Sequence, residues 1–256
     1  MGRLDGKRTI VTGGASGIGR ATAKRLKADG ATVTIADADT AGLEAAAREL
    51  GVTGAAMDVT DWEQVRRVTG DAAVTMGGLD ILVTSAGVTH QATAWDTTPE
   101  AWARVLGINL TGTFLCVKAA APLLIERGAG RIVMLASISG SQVWSGRAAY
   151  AASKGGVLAL AKSCAIDLAP HGVTVNSVSP GPIATPQTAT LHSKLIRDTV
   201  EARVPMARYG LPEEVADVIA FLCSDDARFV TGHDLRVDGG LTAAAILYDL
   251  NKNPST

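Results

Sequence analysis

Seven short runs rich in β-branched and other apolar residues recur along this chain, separated by longer stretches with helical periodicity. The runs are Arg8–Thr12, Thr32–Ala36, Gly54–Met57, Ile81–Thr84, Gly130–Leu135, Thr174–Ser179 and Asp234–Val237. Gly17–Asp29, Thr40–Leu50 and Trp62–Met76 supply amphipathic helical stretches between the early ones. Runs that are apolar throughout, rather than alternating, need cover on both faces. Helices provide that cover, and right-handed helical crossovers keep the strands parallel. The pattern predicts a doubly wound α/β fold with a seven-stranded parallel sheet. No internal repeat, low-complexity tract or linker interrupts it, so residues 1–256 read as a single domain. In such a sheet a ligand binds beyond the carboxyl ends of the strands, where the strand order reverses. Residues that follow each strand are therefore the ones to read for function.

Composition removes several alternatives. With 47% hydrophobic and 19% charged residues, the chain has the make-up of a globular protein. A net charge of −1, without a long block of one sign, gives no basic surface for nucleic acid. The start, MGRLDGKRTIV, has no apolar signal region, and no uninterrupted apolar run reads as a membrane span. Cys116, Cys164 and Cys223 lie far apart in apolar stretches and form no CxxC pair. They read as buried thiols rather than as a disulfide framework or metal site. The expectation is a soluble cytoplasmic protein with no metal, no membrane and no nucleic-acid partner.

The first strand runs into Thr12-Gly13-Gly14-Ala15-Ser16-Gly17-Ile18-Gly19, after which a helix begins. Glycines at a strand-to-helix turn let backbone N–H groups at the helix start approach a pyrophosphate. The spacing differs from G-x-G-x-x-G, so it is the placement between first strand and first helix that points to a dinucleotide. Asp37 ends the second strand, 18 residues after Gly19. A carboxylate there hydrogen-bonds the adenosine ribose and repels a 2′-phosphate, so NAD is expected over NADP. Ala38 follows it, and no arginine stands beside it to receive that phosphate. Asp58 ends the third strand, where it reads either as an adenine-edge contact or as a turn aspartate.

Tyr150 and Lys154 are four residues apart at the opening of a helical stretch, on one face of it. A nearby ammonium favours the phenolate, and so equips Tyr150 as an acid or base nearer neutral pH. Ser137 follows the strand Gly130–Leu135, where its hydroxyl can orient a reacting oxygen. With these residues in view, the chain resembles the short-chain dehydrogenase/reductase family in its single-domain form. The resemblance rests on the TGxxxGxG loop at Thr12–Gly19, the YxxxK pair Tyr150 and Lys154, Ser137, and Asn109 in Asn109-Leu110-Thr111-Gly112. It extends through Pro180-Gly181-Pro182-Ile183-Ala184-Thr185, the Gly210–Ala216 segment and Val230–Gly240. One departure stands at the fourth strand, which ends Thr84-Ser85-Ala86-Gly87 where the family usually has NNAG.

The resemblance implies a Rossmann-type fold and hydride transfer between nicotinamide and a small alcohol or ketone, without a metal. It implies Tyr150 as the proton carrier, Lys154 as the group that lowers its pKa and holds the nicotinamide ribose, and Ser137 as the orienter. Asn109 is implied to hold a water linked to Lys154. Cofactor contacts are expected from Gly13, Ser16, Gly17, Ile18, Gly19, Asp37, Asp58, Val59, Ser85, Ala86, Gly87, Pro180, Gly181, Ile183 and Thr185. A homotetramer is implied, with helices around Trp102–Leu124 and Ala151–Leu168 at its interface and the tail from Ala243 reaching a neighbouring subunit.

The substrate pocket is expected from Ser139, Gln142, Trp144, His90, Trp95, Leu191 and His192 beside Ser137. Ser139 with Gln142 suits a second hydroxyl of a polyol or sugar alcohol; Trp144 suits an apolar wall for a cyclic alcohol. His192 reads as a surface-helix residue, and His90 as a loop residue that faces either pocket or solvent. Thr188–Val200 reads as one lid helix within a lid segment of about 186–204. The leading reading is an NAD-dependent dehydrogenase of secondary alcohols. A carbonyl or 3-oxoacyl reductase and a non-catalytic dinucleotide sensor are its competitors.

Overall fold

The computed structural model describes residues 2–244. Seven strands form one parallel sheet: β1 (Arg8–Thr12), β2 (Thr32–Asp37), β3 (Thr53–Ala56), β4 (Ile81–Thr84), β5 (Gly130–Leu135), β6 (Val173–Pro180) and β7 (Asp234–Val237). Their order is β3-β2-β1-β4-β5-β6-β7. The chain therefore winds outward from β1 to β3, returns to place β4 beside β1, and winds outward the other way. The reversal opens a crevice at the carboxyl ends of β1 and β4.

Both faces of the sheet are covered, and single strands feed both cores. Ile10 and Leu82 enter one cluster, with residues of α3 (Trp62–Met76), α5 (Gly112–Arg127) and α6 (Ala148–Leu168). Val11, Ile81 and Val83 enter the other, with residues of α1 (Gly17–Ala28), α2 (Thr40–Leu50) and α9 (Pro212–Cys223). Successive residues point to opposite faces, so a strand buried on both sides shows no polar alternation. All eight residues of β6 are buried. The three thiols are free; Cys116 and Cys223 are buried, and burial pushes both up to about 12.

Helix termini follow local chemistry. The Asp39 and Asp61 side chains accept from the first-turn N–H groups of α2 and α3, whose ends are Gly51 and Gly77 in the left-handed region. Between α4 (Pro99–Leu106) and α5, residues Gly107–Thr111 form a π-turn that no periodicity had signalled. The continuous helical run Pro99–Arg127 is long and apolar enough, by length and composition alone, to cross a membrane. Residues along its length are buried, Val105 among them, and Cys116, Val117 and Leu124 belong to the sheet's own core.

The lid expectation also changes. Thr188–Val200 is two helices, α7 (Pro186–Leu191) and α8 (Lys194–Glu201). Thr185 caps the first through a capping box with Thr188, and Ser193 caps the second. His192 between them is extended, so two caps in close succession break what reads as one periodic stretch.

Candidate active site

A cleft of about 470 Å³ lies over the carboxyl ends of β1, β2, β4, β5 and β6. It is bounded by every residue expected from sequence to touch the dinucleotide. The loop after β1 is packed so tightly at Gly13, Gly14 and Gly19 that a side chain has no room there. A Cβ on Gly13, which has φ +68°, would stand 2.7 Å from the Ala86 nitrogen. A Cβ on Gly19 would overlap the Gly13 carbonyl oxygen. The Thr12 hydroxyl accepts from the Ser85 and Ala86 N–H groups at 3.2 Å and ties this loop to the end of β4. Ser16 caps α1 without a side-chain hydrogen bond, and the first turn holds no acidic residue. The helix start therefore presents unpartnered N–H groups and positive potential to the cleft, which fits a phosphate.

The two aspartates are oriented by the backbone around them. Asp37 accepts from the Ala15 N–H through one oxygen and from the Asp39 N–H through the other, both at 3.0 Å. The carboxylate is thereby locked at the cleft wall, with Ala36 and Ala38 beside it. Asp58 lines the same cleft, but its Oδ1 accepts from both the N–H and the hydroxyl of Thr60 at 2.8 Å. It is a turn aspartate as well as a wall residue. Thr84 Oγ1, at the departure from the family pattern, is buried without a hydrogen-bond partner.

Ser137, Tyr150 and Lys154 meet at the inner end of the cleft. Ser137 caps a short 3-10 turn and accepts from the Ser139 N–H at 3.1 Å. Lys154 is buried; its ammonium donates to the Leu135 carbonyl at 2.7 Å and lies 5.9 Å from the centre of the Tyr150 ring. Burial pushes Lys154 down to about 8. Burial pushes the Tyr150 phenol up, while the Ser137 hydroxyl and the Arg147 cation pull it back. In the protein alone the phenol is thus raised, and the opposing charge comes from Arg147 rather than from Lys154.

Asn109 is fully buried in the π-turn. Its Nδ2 donates to the Val88 carbonyl at 2.9 Å and to the Ser153 hydroxyl at 3.0 Å, and its Oδ1 accepts from the Val88 N–H at 2.8 Å. The side chain is a strut between the loop after β4 and α6. π-turns inside α-helices frequently mark functional sites, and this one places the amide.

Beside Ser137 and Tyr150, a side pocket of about 90 Å³ is bounded by Ser137, Ser139, Trp144, Tyr150, Leu191 and His192, among others. His192 is buried, with Nδ1 2.8 Å from the Tyr209 hydroxyl, so the surface-helix reading is overturned: the break between α7 and α8 turns it inward. Gln142 is exposed and its Nε2 donates to the Thr242 carbonyl at 3.3 Å, away from the pocket. His90 is absent from the pocket wall and its neighbour Thr89 takes that place. Trp95 is 83% exposed and forms no wall. Thr89, Gln187 and Thr188, from the segments after Gly87 and within 186–204, also line the pocket, and so does Arg147, which was not singled out from the sequence. Arg147 had a legible signal: a cation at the start of a helix opposes the macrodipole and calls for a reason. The tail from residue 245 lies outside the described residues.

Comparison with known proteins adds relatives over nearly the whole chain. A family model described as enoyl-(acyl carrier protein) reductase matches residues 13–242. A cis-4-hydroxycyclohexanecarboxylate dehydrogenase of Sinomonas cyclohexanicum is 43% identical, over 91% of this chain and 96% of its own. A 3-oxoacyl-[acyl-carrier-protein] reductase of Thermotoga maritima is 39% identical, over 93% and 99%. A 2-dehydro-3-deoxy-L-rhamnonate dehydrogenase (NAD(+)) of a Sphingomonas species is 37% identical, over 94% and 97%. Among solved structures, a 3-ketoacyl-(acyl-carrier-protein) reductase of Brucella melitensis complexed with NADH superposes with a TM-score of 0.89 at 34% identity, covering 93% of this chain and 99% of that one.

Proposed function

The chain belongs to the short-chain dehydrogenase/reductase family, and on that premise we propose that it is an NAD-dependent dehydrogenase interconverting a secondary alcohol and its ketone. The substrates in view are polyols, sugar alcohols and cyclic alcohols. One observation carries the reading: a phosphate-ready helix start, a strand-end carboxylate and the Ser137, Tyr150 and Lys154 group share one cleft.

The glycine cradle and Asp37 fit a dinucleotide without a 2′-phosphate, since a second anion beside that carboxylate would be repelled. Gly13, Ser16, Gly17, Ile18 and Gly19 would hold the pyrophosphate; Asp58 and Val59 would border the adenine. Ser85, Ala86 and Gly87, with Pro180, Gly181, Ile183 and Thr185, would border the nicotinamide half. When bound, NAD accepts hydride from the carbinol carbon and returns it in the reverse direction.

Tyr150 takes the hydroxyl proton during oxidation and returns it during reduction. Ser137 accepts from the Ser139 N–H, which leaves its own hydrogen, directed at the Tyr150 oxygen in the protein alone, to turn to the reacting oxygen. Lys154 uses one donor on Leu135 and keeps two for the ribose hydroxyls. Asn109 is a positioning residue: it fixes Val88, and hence the loop at Gly87, through its buried amide.

Residues 186–204 act as the lid, and the chain is one binding and catalytic domain. Homotetramer formation would cover the exposed apolar side chains Trp102, Phe114 and Ile166 on α4, α5 and α6. The three free thiols suit a reducing, cytoplasmic setting.

Reduced-nicotinamide absorbance with NAD across secondary alcohols tests the reading. NAD-linked turnover is expected; silence on the whole panel with NADH binding intact overturns it. A second reading, reduction of a 3-oxoacyl thioester, draws on the similarity to acyl-carrier-protein reductases. The compact side pocket favours a small free substrate over it. NADH oxidation faster on a 3-oxoacyl thioester than on small ketones would reverse that order.

A further inference from the structure

The side pocket holds a cation that the hydride chemistry does not require. Arg147 is half-buried at the N-cap of α6, where the helix already presents positive potential. Its backbone is pinned by a bridge to Ala92, whose N–H donates to the Gly146 carbonyl at 3.1 Å. Its guanidinium donates to the Thr89 hydroxyl and stands 5.8 Å from the centre of the Tyr150 ring. Among the described residues it makes no ion pair, and the pocket is lined by no Asp or Glu.

The described residues that line the pocket with it do not offset this charge. His192 is held towards its neutral form by burial and by the cations of Arg147 and Arg197. Arg197 donates to the His192 carbonyl and lies over the Tyr209 ring. Ile138, Trp144 and Leu191 give the pocket apolar walls. A guanidinium with spare donors, set in apolar surroundings at the positive end of a helix, is stabilised when a planar anion docks against it.

Resting on the dehydrogenase reading above, we propose that Arg147 anchors a carboxylate of the substrate, so that this protein acts on a compact hydroxy acid and, in reverse, on the oxo acid. The carboxylate pairs with Arg147, joined by the Thr89 hydroxyl, while the carbinol lies between Ser137 and Tyr150. The pocket of about 90 Å³ suits such a short molecule. Bond changes stay at the carbinol: its hydride goes to NAD, its hydroxyl proton to Tyr150, and the carboxylate is unchanged.

Binding is measured first, so that the answer does not depend on turnover. Calorimetry on the NADH complex compares butyrate and cyclohexanecarboxylate with the matched carboxamides. At least one carboxylate is expected to bind about 10-fold or more tighter than its amide, the scale of a charge-assisted pair. Arg147→Gln should remove that preference while NADH fluorescence titration remains as in the wild type, and Arg147→Lys should restore part of it. Equal binding of acids and amides by the wild type overturns the proposal, as does a preference that survives in Arg147→Gln. The wild-type comparison decides even if a variant fails to fold. Turnover then separates the two readings. Selective acid binding with no NAD-linked oxidation of any alcohol leaves the anion site standing and removes the dehydrogenase. Oxidation of neutral alcohols with no preference for hydroxy acids does the reverse.

Discussion

At the carboxyl ends of β1 and β2 the cleft is made of backbone; at the start of α6 and along 186–204 it is made of side chains. The first region is held by the Thr12 hydroxyl, by glycines with no space for a Cβ, and by a carboxylate locked between two N–H groups. The second is assembled from Ser137, Tyr150 and Arg147, a buried His192 bonded to Tyr209, and Trp144 packed near Val200, Val204 and Tyr209. A backbone site recognises what all dinucleotides share. A side-chain site is free to differ, because changing one residue there leaves the sheet untouched.

The contrast can be broken by single substitutions. Tyr150→Phe removes the proposed proton carrier but leaves the glycine cradle, so turnover should fall by about 10²- to 10⁴-fold with NADH affinity unchanged. Fluorescence titration beside steady-state rates checks both halves; activity near the wild-type level would dissolve the assigned site. Asp37→Asn keeps an acceptor for the Ala15 N–H while removing the charge at the other end of the cleft. The ratio of kcat/KM with NADP to that with NAD should rise by roughly 10-fold, a value of about 1.4 kcal/mol. An unchanged ratio would mean that Asp37 does not face the ribose.

A pH profile sharpens the coupling inside the substrate region. In the proposed mechanism oxidation requires the Tyr150 phenolate, and burial raises the phenol, so kcat/KM for a neutral alcohol should climb as pH rises above neutrality. Reduction requires the phenol and should fall over the same range. Arg147 pulls that pKa down, so Arg147→Gln should move both limbs to higher pH; profiles that coincide would remove Arg147 from the electrostatics of Tyr150. The smallest effect is expected at Thr84→Val, in the backbone-built region. The lost hydroxyl has no partner, so stability should stay level or rise by up to about 1 kcal/mol in a urea titration. A clear loss would show that Thr84 makes a bond in the folded protein that its surroundings do not reveal.

Much of this was legible from residue order. The strand boundaries agree within a residue or two because apolar runs between turn residues admit one period. Asp37, Ser137, Tyr150 and Lys154 were found because each follows a strand end or shares a helical face. Arg147 carries a fainter signal than the YxxxK pair, a charge of the wrong sign at a helix start. Gln142 turns away from the pocket and His192 into it, and His90 was open between pocket and solvent, because in a loop proximity along the chain says little about which way a side chain turns.

By itself the sequence determined the layered parallel sheet, the crevice at its switch point and the backbone cradle for a dinucleotide, since these follow from local period, glycine spacing and strand ends. The tertiary structure decided what faces the substrate. Arg147, Thr89 and His192 are brought together from three separate segments. Whether a charge there has a counterion depends on every neighbour that packs around it, and no local pattern carries that information.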